Sequence, residues 1–196
     1  MKQRGILSPD FRYTDMMSKP TFPLKSTDVA RMVVYLCKKE FPSLWEVLSG
    51  TLVNRIVFVA SLIGIGRGVR LVDESPTWMR NGYIYPNISL LFLQAKENGV
   101  KVTASRIVLD DEKDNELLLD ILRTTLGIVK KFQSQTTNIA SLLINVQKTC
   151  PHWYKTKALV DWLENTFKNP VYPTLPDDEL YEFARSCVLL ADTTDN

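Results

Sequence analysis

The residues best suited to catalysis are acidic, and they follow short apolar stretches. Asp73 ends one such stretch, and Asp111, Glu112 and Lys113 follow another. Two carboxylates can hold a Mg²⁺ ion while a lysine steadies the attacking water or the developing charge. This pattern predicts a metal-dependent nuclease that uses Asp73, Asp111 and Lys113. The same acids also suit the start of a helix, where the dipole favours negative charge.

Cysteine and histidine are scarce, which limits the other kinds of chemistry. His152 is the only histidine, and it follows Cys150 and Pro151. A single histidine removes most general-base and zinc schemes, so we expect no metal ion and no cofactor. A Cys–His nucleophile pair is disfavoured, because residues on either side of a proline rarely point at each other. The three cysteines (with Cys37 and Cys187) are widely spaced, which favours a reducing, intracellular compartment such as the cytoplasm.

A glycine-rich segment resembles a phosphate-binding loop only in composition. Gly64, Gly66 and Gly68 fit neither the dinucleotide-binding pattern nor the P-loop pattern. The spacing favours the end of a helix. The backbone there could still approach a phosphate, with Arg67 and Arg70 beside it.

A group of arginines interleaved with aromatic residues is the main candidate binding site. Arginine contacts phosphate in a bidentate manner, and exposed rings stack on the bases of single-stranded nucleic acid. The alternative is that these arginines pair with acids of the same chain and that the rings, with nearby Tyr85, lie in the core. The candidate nucleic-acid-binding residues are Arg55, Arg67, Arg70, Arg80, Arg106, Trp78 and Tyr83.

Charge is unevenly distributed along the chain. Residues 1–108 hold 15 Lys and Arg against 8 Asp and Glu, a net charge of +7. Residues 109–196 hold 9 against 14, a net charge of −5. These halves can be two solvated faces of one domain. They can also let the basic half of one copy meet the acidic half of the next, or leave a basic face for phosphates.

One apolar run is long enough to raise the question of a membrane span. Residues 56–66 are uncharged and lie between Arg55 and Arg67. Eleven residues are about half of the roughly 20 that a spanning helix needs. We therefore predict a buried core helix and no membrane span. No signal-peptide pattern follows Met1, which again favours an intracellular protein.

Hydrophobic periodicity and the positions of proline, glycine and capping residues predict the elements that position these residues. Prolines make residues 1–25 an extended arm. Helices capped by Ser26 or Thr27 and by Ser43 are predicted to begin the folded part. Ser75-Pro76 is predicted to open a helical turn that Asn81-Gly82 closes, and 100–109 is the best strand candidate. The helical segments predicted are 28–40, 44–63, 88–98, a track over 118–146 that 133–138 can break in two, 156–169 and 176–191.

These elements predict a mainly α fold. We expect a single-domain bundle of six or seven helices, at most a small β element near 100–109, and an extended N-terminal arm. The domain is predicted to cover 26–196, with a basic half over 26–108 and an acidic half over 109–196. A chain of 196 residues is long enough to bury a core without disulfides or metal.

The leading functional hypothesis is a non-enzymatic helical assembly protein. It would self-associate as a homo-oligomer and follow the backbone of single-stranded RNA or another nucleic acid through its arginine face. Nucleocapsid and coat subunits work by this physics, so the analogy would place it in a nucleoprotein assembly. The first alternative is a monomeric adaptor that binds a helix of a protein partner. The second alternative is the metal-dependent nuclease.

Overall fold

A computed structural model describes residues 20–79, 82–135 and 138–186, and helices carry most of this part of the chain. The mainly α fold class is confirmed. Eight helices are present among the described residues, against six or seven predicted. The helices are α1 (Ser26–Glu40), α2 (Pro42–Glu46), α3 (Gly50–Gly66), α4 (Pro86–Glu97), α5 (Glu112–Gln133), α6 (Ile139–Lys148), α7 (Pro151–Phe167) and α8 (Asp177–Ser186), and two short strands are β1 (Thr77–Trp78) and β2 (Tyr83–Ile84).

The helix α3 lies at the centre, and α1, α4, α5, α6 and α8 pack around it. Thirteen of its seventeen residues are buried, on every side of the helix. Its β-branched residues favour strands in isolation, but burial against five helices outweighs that preference. The prediction that 56–66 is a buried core helix is confirmed. Among the described helices, none is long and apolar enough to cross a membrane.

The helix predicted over 44–63 is in fact two helices, α2 and α3. The Ser49 hydroxyl accepts the backbone N–H of Leu52 at 3.2 Å and so caps α3. The predicted cap Ser43 lies inside α2 instead. Pro42 occupies the first turn of α2, where its fixed φ suits the helix and its missing N–H costs no hydrogen bond.

The first helix also begins earlier than predicted, because Ser26 is its first residue and not its cap. The Ser26 hydroxyl donates to the Glu74 carboxylate. The same carboxylate accepts the backbone N–H of Asn87, near the start of α4, at 3.1 Å. Negative charge is favourable at the N-termini of helices, so Glu74 stabilises two of them at once.

The end of the predicted arm packs against the fold. Leu24 is buried, its N–H donates to the Leu71 carbonyl, and its own carbonyl accepts the N–H of Asp73, both at 2.9 Å. Residues 1–19, the rest of that arm, lie outside the described residues.

The small β element lies at 77–84 and not near 100–109. The segment predicted as a helical turn is an antiparallel hairpin, in which Thr77 faces Ile84 and Trp78 faces Tyr83. Residues 100–109 run along α1: the N–H of Ser105 donates to the Arg31 carbonyl at 3.2 Å. Alternate side chains of this segment do pack on the core, which explains the strand-like pattern, but its neighbour is a helix and not a strand.

Two buried side-chain amides hold the second strand. Gln147 of α6 accepts the N–H of Tyr83 at 2.8 Å and donates to its carbonyl at 2.9 Å. Asn54 of α3 accepts the N–H of Tyr85 at 2.7 Å and donates to its carbonyl at 2.9 Å. Gln147 thus makes at Tyr83 the hydrogen bonds that a further strand would make. Asn54 does the same at Tyr85, the residue after β2.

The later helices follow the sequence pattern more closely. Asp111 caps α5 by accepting the N–H groups of Lys113 and Asp114 at 2.7 and 3.3 Å. The polar patch 133–138 separates α5 from α6, as predicted, and α4 ends just before Gly99, which has a φ of 65°. The helix α7 begins at Pro151, five residues earlier than predicted, because proline suits the first turn.

We predict that Gln147→Leu lowers the free energy of unfolding by about 3 kcal/mol, because it leaves the buried N–H and carbonyl of Tyr83 without partners. Urea denaturation measures the loss. Gln133→Leu is the matched control, since the Gln133 amide makes one exposed bond to the Ser43 carbonyl. A loss for Gln147→Leu no larger than that of the control would contradict the account.

Burial of Cys37 predicts a loss of stability at alkaline pH. Burial raises the pKa of its thiol from 9.0 to about 12. The folded state therefore keeps the proton to higher pH than the unfolded state does. The contribution of Cys37 to the free energy of unfolding is complete below pH 9 and falls by about 1.4 kcal/mol by pH 10. Unfolding at pH 8 and pH 10 should show a steeper decline for the natural chain than for Cys37→Ala; equal slopes would disprove this assignment.

Candidate functional site

Two of the candidate arginines are engaged by acids of the same chain. Arg67 forms an ion pair with Asp120, and its Nη2 lies 3.3 Å from Thr124 Oγ1. Arg70 forms an ion pair with Asp177, and it donates to the carbonyls of Val72 and Asp73 at 3.0 and 3.2 Å. Asp120 and Asp177 belong to the acidic half of the sequence. Both arginines therefore follow the alternative given above, in which they pair with acids of the same chain.

The candidate aromatic residues lie in the core. Trp78, Tyr83 and Tyr85 are 3%, 1% and 1% exposed. The Trp78 ring packs edge-on against the Tyr83 ring, with 5.2 Å between their centroids. The Trp153 ring also contacts it, with 5.4 Å between centroids. The prediction that Trp78 and Tyr83 stack on bases requires exposed rings, and it is wrong on that point. Burial also raises the pKa of the Tyr83 hydroxyl to about 12, so it stays protonated at neutral pH.

The remaining candidate arginines are not brought together with Arg67 and Arg70 by any contact in the described structure. Arg106 is exposed on the segment that follows α4. Arg55 is half-buried on α3, with Nε and Nη1 buried and without hydrogen-bond partners, and burial lowers its pKa. Arg80 lies outside the described residues.

One of the candidate nuclease residues, Asp111, has a side chain with a structural role. Asp111 is occupied as the cap of α5, and the backbone N–H of Lys113 donates to it. Asp73 lies in the loop before β1, where its backbone pairs with Leu24. Within the described residues, no group of three or more His, Cys, Asp or Glu side chains could hold a metal ion. The interpretation of these acids as the start of a helix explains Asp111 without a catalytic role.

The side chains of Cys150 and His152 turn to different partners. The Cys150 thiol is buried and lies 3.1 Å from the Ser186 hydroxyl. His152 Nε2 lies 3.0 Å from a Glu179 carboxylate oxygen and 3.3 Å from the Tyr83 hydroxyl. A nucleophilic cysteine needs access and a base aimed at its sulfur. This cluster joins α7, α8 and β2 and has the character of a structural contact.

The helix α4 leaves apolar side chains exposed, as α7 does with Tyr154, Leu159, Trp162 and Phe167. Of the twelve residues of α4, only Ile88 is buried, although the sequence reads ISLLFL across its first half. Leu90 and Leu93 are 50% and 51% exposed. Single exposed leucines are common on proteins, but neighbouring ones that form an apolar patch are typical of binding surfaces.

A cavity of about 440 Å³ lies against another side of α4, where Phe92, Ala95 and Lys96 face α2 and the segment 100–102. Gly50 lets α3 approach α4 at this place, because a Cβ there would lie 2.8 Å from the Phe92 side chain. The Lys101 ammonium lies 5.7 Å from the centre of the Trp45 ring at the rim. We call the exposed side chains of Leu90 and Leu93 the α4 surface. The apolar residues that line the cavity are Val34, Trp45, Leu48, Phe92, Ala95, Val100 and Val102.

Sequence analysis missed the α4 surface, although a signal was present. Apolar residues at 88 and 90–93 point to all sides of a helix, as they do in α3. A helix of this kind must be buried on all sides or leave leucines exposed. α3 is enclosed, but α4 lies at the edge of the molecule, so part of its apolar surface stays uncovered.

Comparison with known proteins adds no assignment. No family model, no curated protein and no solved structure matches this chain.

We predict that Arg70→Ala lowers the free energy of unfolding by about 1–2 kcal/mol, because it removes two backbone contacts and a partly exposed ion pair. The exposed Arg106→Ala is the control and should cost less than about 0.5 kcal/mol. Thermal or urea unfolding distinguishes them. If the two variants were equally stable, Arg70 would not have the structural role assigned to it.

Proposed function

We propose that this chain is a non-enzymatic helical protein that self-associates, and that the α4 surface is where it binds. The observation that carries this proposal is the exposure of Leu90 and Leu93, which lie three residues apart on one side of α4. Burying apolar area contributes about 25 cal/mol per Å², so covering such a surface favours association. The scarcity of groups arranged for catalysis in the described structure supports a binding role over an enzymatic one.

Support for nucleic-acid contact is weaker than the sequence indicated. Arg67 and Arg70 already pair with Asp120 and Asp177, and the candidate rings are buried. Binding of single-stranded RNA stays a prediction that rests on Arg55 and Arg106. Reversing the charge of Arg67 and Arg70 is a poor test of it, because that change also breaks contacts within the fold.

The ion pairs within the chain also bear on how association would respond to salt. Assembly of the basic half of one copy on the acidic half of the next predicts particles that dissociate as salt screens the charges. Among the described residues, three ion pairs join the two halves within one chain: Arg67–Asp120, Arg70–Asp177 and Arg123–Glu40. Association through an apolar surface is therefore the better-supported mode, and it should depend little on salt.

We predict that sedimentation equilibrium finds a monomer–oligomer equilibrium between about 1 and 500 µM protein, with a dissociation constant that changes less than about threefold between 50 and 500 mM NaCl. A chain that remained monomeric at 500 µM would contradict self-association and favour the adaptor hypothesis. Association that disappears at high salt would contradict the α4 surface and favour contact between the charged halves.

A further inference from the structure

We propose that the cavity between α2, α4 and the segment 100–102 binds a small amphipathic carboxylate, with the apolar body of the ligand inside and its carboxylate against Lys96 and Lys101. We call this space the α2–α4 cavity. It lies on a different side of α4 from Leu90 and Leu93, so this inference goes beyond the proposed self-association and does not depend on it. Three observations carry it: the size and lining of the cavity, the way its walls are held, and its charges.

The size and lining of the α2–α4 cavity suit a small organic molecule. Its volume is about 440 Å³, within the range of roughly 300–1,000 Å³ that ligand pockets have. An apolar cavity of about 150 Å³ already binds benzene, so there is room here for a ring with a short chain. The side chains of Trp45, Leu48 and Phe92 line the cavity and are only partly buried. An apolar group that enters would therefore remove them from water, which favours binding.

One wall of the cavity is fixed by the way α4 ends. The N–H of Gly99 donates to the Lys96 carbonyl at 3.0 Å, and the N–H of Val100 donates to the Ala95 carbonyl at 2.9 Å. These two bonds, with Gly99 at a φ of 65°, form a Schellman motif, which turns the chain back after a helix. Val100 and Lys101 thereby line the same cavity as Ala95 and Lys96.

Another wall is held by close packing between α3 and α4. Gly50, the first residue of α3, has no Cβ, and a Cβ there would lie 2.8 Å from the Phe92 side chain. The Phe92 ring can therefore rest against the backbone of α3, where it lines the cavity. A wall that is in place before the ligand arrives lowers the entropic cost of binding.

The charged groups at the cavity favour an anion. Lys96 and Lys101 line it, against a single acid, Glu46. None of the three forms an ion pair with a described residue, so both ammonium groups are available to a ligand. The Lys101 ammonium lies 5.7 Å from the centre of the Trp45 ring, which places a positive charge directly beside the apolar lining. A carboxylate has two acceptor oxygens for these donors, whereas a cation would face two like charges.

A second cavity in the described structure serves as a comparison. It measures about 450 Å³, lies between α1 and α4, and is lined mainly by polar residues that include Lys25, Arg31 and Asp73. Water can bind to polar groups of this kind, but it gains little beside an apolar lining. We therefore assign a ligand to the α2–α4 cavity and none to the second one.

Three probes that share one apolar body and differ in head group test the proposal. Phenylbutyrate, phenylbutanol and phenylbutylamine carry a carboxylate, a hydroxyl and an ammonium group. Phenylbutyrate should bind with a dissociation constant below about 2 mM, which a ligand of its size can reach. Phenylbutanol should bind at least about threefold more weakly, and phenylbutylamine more weakly still. No binding of phenylbutyrate at about 10 mM, or an amine that binds as tightly as the acid, would overturn the proposal.

The indole N–H signals in a heteronuclear NMR spectrum show where the probe binds. Of the four tryptophans, Trp45 lines the cavity, Trp78 and Trp153 are buried elsewhere, and Trp162 is exposed on α7. The Trp45 signal, identified by its loss in Trp45→Phe, should shift as phenylbutyrate is added, while the other three stay in place. A shift at Trp162 without one at Trp45 would mean that the probe coats exposed apolar side chains, and it would contradict the site.

Matched charge variants test the role of the two lysines. Lys96→Gln with Lys101→Gln should weaken phenylbutyrate binding at least about fivefold and change phenylbutanol binding less than about twofold. Lys130→Gln with Lys131→Gln removes the same charge from exposed positions of α5, so it should leave both affinities unchanged. Glu46→Gln should tighten phenylbutyrate binding, because it removes the acid from the lining. Equal affinities of the two double variants for phenylbutyrate would show that Lys96 and Lys101 do not hold its carboxylate.

Discussion

The burial of α3 is the constraint on which the rest of the structure depends. This helix is apolar on every side, so no single face can be given to solvent, and five other helices must enclose it. Two of its buried polar side chains, Ser61 and Asn54, are satisfied by hydrogen bonds within the fold. The Ser61 hydroxyl donates to the Val57 carbonyl at 2.9 Å and accepts the Tyr85 hydroxyl at 2.9 Å. Asn54 binds both backbone groups of Tyr85, and it thereby fixes where the hairpin ends and α4 begins.

Much of this architecture could be predicted from the sequence because it depends on local signals. The acids at 110–114 mark the start of α5, and the 56–66 run is too short for a membrane and too apolar for a surface. The hairpin could not be predicted, since strands of two residues are too short to show periodicity. It is held by Asn54 and Gln147, which are distant in sequence from the residues they bind. Long-range partners of this kind leave no local pattern.

The candidate site illustrates the same limit for function. A sequence does not distinguish an arginine that binds phosphate from an arginine that pairs with aspartate. Only the fold shows that Asp120 lies beside Arg67 and that Asp177 lies beside Arg70. Once these charges are paired internally, the uncovered apolar side of α4 is an exposed feature that needs an explanation. Its composition was visible in the sequence, but which side of α4 stays uncovered depends on where the enclosing helices end.

Hydrogen–deuterium exchange measured at low and high protein concentration tests this account most directly, because it reports which amides become protected when copies associate. We predict that peptides covering 86–102 exchange more slowly at about 200 µM than at about 2 µM protein, while peptides covering 154–167 are unchanged. Concentration-independent exchange throughout the chain, or protection confined to 154–167, would contradict the claim that this protein associates through α4.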